Sequence, residues 1–283
     1  MNVLSLFDGI SCGQVALERA GISVENYFAS EIDKYAIKVT QANYPNTIQL
    51  GDVKDVHGAD LPKIDLLIGG SPCQGFSFAG KQLNFNDPRS ALFFEYVRIL
   101  SEVQPKYFLL ENVKMKKEYQ DVISMCLGVE PIEINSALVS AQNRKRLYWT
   151  NIPGIKQPKD KGILLESVLE STEYKNPSAI RGKKEKTDGH YVQYLDVKQD
   201  VTKSNCLTTV SKVNTLTCLP PGAYANAYTE HLPFRYYSAR ECCRLQTLPD
   251  DYTNGLSDNQ ARKCLGNGWT VDVIAHILSY LKF

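Results

Sequence analysis

The stretch GGSPCQGFSFAG, residues 69–80, follows the apolar run KIDLLI at 63–68. A core strand that runs directly into two glycines, Ser71 and Pro72 puts Cys73 at the head of a polar loop. A cysteine in an apolar run is usually a small buried hydrophobe. One at a loop start near positive charge is instead available as a thiolate nucleophile, and spacing alone leaves both readings open. Glu111 closes a second apolar run, KYFLLE at 106–111, and Asn112 follows it. A carboxyl at the edge of a low-dielectric pocket can keep its proton and donate a hydrogen bond. In QNRKRLYW, 142–149, strand alternation puts Gln142, Arg144 and Arg146 on one face, with Asn143 and Lys145 on the other. Arginines side by side on one face suit the recognition of carboxylate, phosphate or carbonyl oxygen.

Such groups act together only if a fold brings them to one place. NVLSL at 2–6, VENYFASE at 24–31, TIQL at 47–50, KIDLLI and KYFLLE read as strands. GQVALERAG at 13–21, DKYAIKVTQANY at 33–44 and SALFFEYVRILSEV at 90–103 have helical spacing. Strands alternating with helices predict an α/β fold with a doubly wound, mostly parallel sheet, whose ligands bind beyond the carboxyl ends of the strands. FDGISCG at 7–13, Glu31, Asp52, SPCQ at 71–74 and ENVK at 111–114 each follow a predicted strand. FDGISCG offers a glycine turn where backbone can approach a ligand closely. An acidic residue ending the second strand is placed to bond a ribose hydroxyl, and Asp52, after the third, to accept from an adenine amine.

Beyond about residue 165 the alternation stops. The expected organisation is a catalytic, cofactor-binding domain over 1–168, a smaller irregular β-rich domain over 169–238, and a C-terminal segment, 239–283, whose last helix returns to the first domain. Helical periodicity resumes over 235–252 and 265–281.

The chain has 283 residues, 43% of them apolar, which supports a sizeable core. Its net charge is +1, so it is no polycation, although RGKKEK at 181–186, KMKK at 114–117 and RKR at 144–146 are basic islands that suit a polyanion on one face. The eight cysteines show no metal-ligand spacing and no disulfide framework, so no metal is expected. No apolar run approaches the roughly 20 residues of a membrane span, the start MNVLSLFDGI lacks a basic leader, and a reducing cytoplasm is the expected setting. With no oligomerisation stripe in view, a monomer is expected, with a dimer as the alternative.

SPCQGFS, ENV, QNRKR, RECCRLQTLPDDY and LGNGW occur in the order found in C5-cytosine DNA methyltransferases, and the chain resembles that family over nearly its whole length. SLFDGI, GGSPC and LGNGWTVDVI also resemble the animal de novo DNA methyltransferase catalytic domain. The resemblance implies methyl transfer from S-adenosylmethionine to C5 of a cytosine flipped out of duplex DNA. Cys73 would add to C6, Glu111 would hold N3, Asn112 would support the pocket, Arg146 would contact the O2 face, and Arg144 would lie beside the substrate backbone or Glu111. Phe7, Gly9, Gly13, Glu31, Asp52, Pro72, Leu92, Asn267 and Trp269 would surround the cofactor. The loop 75–90 would close over the base, with Gln74, Ser77, Arg89 and Gln142 against DNA. The segment 169–238 would be the target-recognition domain, with Lys183, Lys184, Lys203, Thr208 and Thr209 at the DNA and Arg235 and Arg240 on its backbone. A tRNA cytosine-5 methyltransferase with the same chemistry, or a catalytically inactive DNA-binding relative, are the competing readings.

Overall fold

The structure, a computed structural model, describes residues 1–72, 91–170, 215–217 and 234–282. The chain divides into two compact units: residues 1–135, 145–158 and 271–283, and residues 136–144 and 159–270. The main boundary thus falls at 158/159 rather than 168/169, and the segment 136–144 joins the second unit. Only 271–283 of the C-terminal segment returns to the first unit.

The first unit is built on seven strands: β1 (Asn2–Leu6), β2 (Asn26–Ser30), β3 (Ile48–Gln49), β4 (Leu66–Gly69), β5 (Tyr107–Val113), β6 (Ile132–Asn135) and β7 (Lys145–Thr150). Their order is β3-β2-β1-β4-β5-β7-β6. The first five are parallel, and β7 runs antiparallel to both β5 and β6. Among the described residues four α-helices lie between strands: α1 (Cys12–Arg19), α2 (Lys34–Asn43), α3 (Ala91–Val103) and α4 (Lys117–Leu127). The doubly wound, mostly parallel expectation holds, with α4 and β6 added and β7 starting at Lys145 instead of Gln142.

The parallel strands are buried on both faces and read accordingly as continuous apolar runs. Leu4, Leu6, Leu67 and Leu110 meet Phe93, Tyr96 and Ile99 of α3 in one core. Those three are fully buried and recur every third residue, a helical stripe. Each such side chain contributes roughly 1.5–3 kcal/mol on burial. Gly69 ends β4 because nothing larger fits: a Cβ there would lie 3.0 Å from the Leu6 carbonyl oxygen and 3.0 Å from the Tyr96 ring.

The described part of the second unit contains an antiparallel pair, β8 (Thr215–Thr217) and β9 (Phe234–Tyr236), then α5 (Ala239–Leu245) and α6 (Asp258–Asn267). A capping box at Ser238 and Glu241 starts α5, and another at Ser257 and Gln260 starts α6. The helical pattern over 265–281 is broken: α6 ends at Asn267, Gly268 is extended, and α7 (Val271–Leu278) begins afresh in the first unit, where it packs on α1.

Candidate active site

In the first unit, strand register brings the chemistry to one edge. Leu6 pairs with Ser30 and with Gly69, and Gly69 pairs with Leu110, so Phe7, Glu31, Gly70 and Glu111 follow at the same level. The turn after β1 is unusual. Phe7, Gly9 and Ser11 take left-handed backbone conformations with φ of 57°, 61° and 55°. Two of the three are not glycine, and such conformations persist only where the surroundings impose them.

The surroundings are polar. The Glu31 carboxylate accepts from the backbone N–H of Gly9 (2.8 Å), Ile32 (2.7 Å) and Asp33 (2.8 Å), tying the turn to the end of β2. Asp8 is buried beneath it, accepting from the hydroxyls of Ser11 and of Tyr27 (2.8 Å). Burial pushes the Asp8 carboxyl up to about 6, against the pull of those two hydroxyls and with a small further push from Glu31. Thr40 on α2 donates to Ser11 Oγ (3.2 Å), completing the underside.

A Cβ built on Gly9 meets nothing within 4 Å, so the turn opens to a ligand where its backbone is exposed. Asp52, half-buried after β3, accepts from the Lys54 N–H at 3.1 Å and starts a short 3₁₀ turn, Val53–Asp55. An open glycine turn flanked by carboxylates at the ends of β2 and β3 is a donor–acceptor set that fits an adenosyl group. Gly13 lies buried in the first turn of α1, Pro72 follows β4, and Leu92 in the first turn of α3 packs against the core.

Glu111 lies within β5, buried at 8% exposure. Arg146 pairs across with Val113, two residues along the same face, and the long side chain reaches back diagonally. Its Nε lies 2.9 Å from Glu111 Oε1. Asn112 points elsewhere and donates to Ser71 Oγ (3.1 Å) and Ser71 O (3.4 Å), fixing the turn that leads to Cys73. Ser71 and Asp8 were missed from the sequence because short polar residues in turns have many roles. Cys73, Gln74, Ser77 and Arg89 lie outside the described residues, as do Lys183, Lys184, Lys203, Thr208 and Thr209.

A profile of the C-5 cytosine-specific DNA methylase family matches residues 1–124 and 151–282. The chain belongs to this family. The type II methyltransferase M1.ScrFI of Lactococcus lactis subsp. cremoris is 33% identical over 303 residues, spanning 96% of this chain and 76% of that protein. The type II methyltransferase M.NgoBI of Neisseria gonorrhoeae is 32% identical over 294 residues, spanning 96% and 90%. The Entamoeba histolytica methyltransferase EhMeth, 20% identical, superimposes with a TM-score of 0.74 over 99% of this chain and 97% of its own, and so shares the methyltransferase fold.

In the second unit, this DNA methylase buries two side chains that sequence alternation assigned to substrate. Gln142 is fully buried, so it cannot touch DNA as expected. Its Nε2 donates to Leu245 O (2.9 Å) and to Gln246 Oε1 (3.2 Å). Arg144, 4% exposed, donates to the carbonyls of Gly268 (2.9 Å) and Gly266 (3.3 Å). Of the two arginines it is Arg146 that meets Glu111. Arg240 is exposed but paired with Glu170 (2.6 Å) and, more loosely, with Asp250 (3.6 Å), so a phosphate would have to compete with two carboxylates. Arg235 lies on β9. Asn267 is exposed at the end of α6, and Trp269 is buried at 9% in the segment that follows. Among the described residues no cluster has the makings of a metal site, and no helix is long and apolar enough to cross a membrane.

Proposed function

We propose that this chain methylates C5 of a cytosine rotated out of duplex DNA, through a transient covalent bond between Cys73 and C6. The Glu111–Arg146 pair carries the reading: an acid and a guanidinium 2.9 Å apart beside the turn that precedes Cys73. Cytosine C5 is a weak nucleophile, and thiolate addition at C6 converts it to an enamine. Glu111 holds N3 as charge develops on the ring, and Arg146, whose Nε meets Glu111 and whose Nη1 donates to Lys145 O (2.9 Å), orients Glu111 on the side of the O2 edge. Asn112 keeps the Ser71 turn, and hence the thiol, at its station. S-adenosylmethionine, which Phe7, Gly9, Gly13, Glu31, Asp52, Pro72 and Leu92 would hold, would supply the methyl group as a sulfonium: C5 takes the methyl and S-adenosylhomocysteine leaves as the neutral thioether. After transfer, a base removes the C5 proton and the electron pair expels Cys73, which restores the aromatic ring and the thiolate. Segment 169–238 reads the target, with the protein acting as a monomer in a bacterial or phage-infected cytoplasm.

The test is covalent trapping. Protein and S-adenosylmethionine are incubated with mixed-sequence duplex DNA in which 5-fluorocytosine replaces cytosine. Fluorine cannot leave as the proton does, so a denaturant-resistant adduct mapping to Cys73 is expected. An adduct on fluorinated RNA alone would transfer the activity to tRNA, and none on either would leave an inactive relative.

A further inference from the structure

Asp8 lies within the turn between β1 and α1, but its carboxyl is buried beneath that turn and serves no step of the proposed chemistry. Its Oδ2 accepts from the Ser11 hydroxyl, and its Oδ1 accepts from the Tyr27 hydroxyl at 2.8 Å. The backbone repeats both links. The Asp8 carbonyl accepts from the Ser11 N–H (3.2 Å), and the Asp8 N–H donates to Ser30 O on β2 (3.1 Å). Asp8 thus ties Ser11, whose φ is 55°, to the strand that Glu31 follows. A left-handed backbone is costly for serine, and these bonds help to impose it.

Both carboxyl oxygens act as acceptors here, which only the ionised form supplies in full. Protonation puts a hydrogen on one of them, and the hydroxyl facing that oxygen must turn away or lose its bond. The Ser11 hydroxyl has nowhere to turn. With its proton on Asp8, its lone pairs accept from Thr40 Oγ1 (3.2 Å) and Gln14 Nε2 (3.3 Å). Gln14 is held in turn by Thr47 (2.8 Å), and Thr40 also reaches the Gly9 carbonyl (3.3 Å). Donors from α1 and α2 therefore converge on Ser11, and Asp8 is the acceptor at which they end. Several groups bear on the Asp8 charge. The hydroxyls of Ser11 and Tyr27 favour it, as does Ser5 on β1, buried without a hydrogen bond of normal geometry, while Glu31 opposes it. At the start of α2, Asp33 is engaged with Tyr35 N (2.9 Å) and Lys34 with the Tyr35 ring; Cys12 is buried at the start of α1. Burial outweighs the hydroxyls and brings the Asp8 carboxyl to about 6, so both of its forms are accessible in ordinary buffers.

We propose that Asp8 is a positioning residue for cofactor binding: as a carboxylate it holds Ser11 and Tyr27 together and keeps the 7–11 turn in the shape that the adenosyl group meets, and protonation loosens that hold. The inference rests on the assignment of this turn and Glu31 to S-adenosylmethionine. It is tested by isothermal titration of S-adenosylhomocysteine, whose own charges stay essentially constant between about pH 5 and about pH 7. The wild-type Kd should be about tenfold higher at the lower pH than at the upper. Asp8→Asn, the neutral isostere, should bind at about pH 7 as weakly as the wild type does at about pH 5, with a flat profile between them. Tyr27→Phe removes a hydroxyl that favours the charge, so it should move the midpoint of the profile upward. The control is Ile123→Val, which trims the core at α4 and should leave the midpoint where it is. In protein without ligand at about pH 7, hydrogen exchange should accelerate over 7–11 in Asp8→Asn and not in α4. A wild-type Kd that is the same at both pH values, a pH dependence that persists in Asp8→Asn, or wild-type exchange over 7–11 in that variant would overturn the inference. Should Asp8→Asn prove too unstable for titration, Tyr27→Phe carries the test alone, and an unmoved midpoint would overturn the inference. A wild-type protein that binds no S-adenosylhomocysteine at either pH would overturn the cofactor assignment itself, and the inference with it.

Discussion

Glu111 and Arg146 offer the sharpest physical test, because their pairing can be measured without DNA or cofactor. Their side chains are 11% and 14% exposed, so neither ion is well hydrated, and each depends on the other. Removing one partner of a buried pair costs about 3–5 kcal/mol, chiefly because a charge is left without compensation. The small opening to solvent here puts Arg146→Met and Glu111→Gln near the lower end, about 3 kcal/mol each. Replacing both at once leaves no orphaned charge, so the double variant should lose far less than the sum of the singles. A coupling of about 2 kcal/mol is expected from urea unfolding followed by circular dichroism, provided the m-value is unchanged. Single losses that simply add in the double variant, within about 0.5 kcal/mol, would refute the pairing.

Other substitutions test the neighbouring elements. Asp8 carries a pH signature. Its carboxyl is raised from 3.8 to about 6 in the folded protein, so between those values the folded state keeps a proton that the unfolded chain has released. Stability therefore falls as pH rises through that window, and Asp8→Asn should remove about 3 kcal/mol of this fall. Parallel pH profiles for both proteins would refute the burial argument. Gly69→Ala should cost about 1–3 kcal/mol in urea unfolding, since its Cβ meets the Leu6 carbonyl and the Tyr96 ring at 3.0 Å; a neutral result would mean that β4 shifts freely. Asn112→Ala should cost about 1–3 kcal/mol by releasing Ser71, and it should lower kcat with little change in the KM for cofactor. An effect on that KM alone would detach Asn112 from the Cys73 turn.

Where local pattern and tertiary environment agree, the sequence was enough. NVLSL, the second half of KIDLLI (from Leu66) and KYFLLE from Tyr107 are strands because they are buried on both faces, and the acidic and glycine residues at their ends lie at one sheet edge. The failures have one cause, which is that alternation says which residues share a face but not where a strand begins. Counting strand from Gln142 put Gln142 and Arg144 beside Arg146. In fact the chain makes a 3₁₀ turn at Ser136–Leu138 and joins the sheet only at Lys145, leaving Gln142 and Arg144 buried in the other unit. Their polarity suggested a surface, whereas it satisfies buried backbone carbonyls of Leu245 and Gly268. The helix α4 was legible in principle, since Tyr119, Ile123 and Leu127 recur every fourth residue, but its exposed charges diluted the pattern.

The antiparallel strand explains why the acid and the arginine meet. In an all-parallel sheet every strand begins at the edge opposite the ligand, and a residue second in its strand lies far from the chemistry. Reversing β7 exchanges its ends, so that Arg146, second in the strand, lands beside the carboxyl end of β5, opposite Val113 and diagonal to Glu111. The insertion of β7 between β5 and β6 also covers what would otherwise be the open edge of β5, and a strand held on both sides cannot slip without breaking two ladders. That constraint matters because the side-chain period is two: a shift of one residue would turn Arg146 to the other face of the sheet and put Lys145 towards Glu111. A lysine there supplies charge as a single point, without the planar fork that can hold a carboxylate and still present donors to a carbonyl oxygen. Register in β7 is thus a condition for chemistry at this edge.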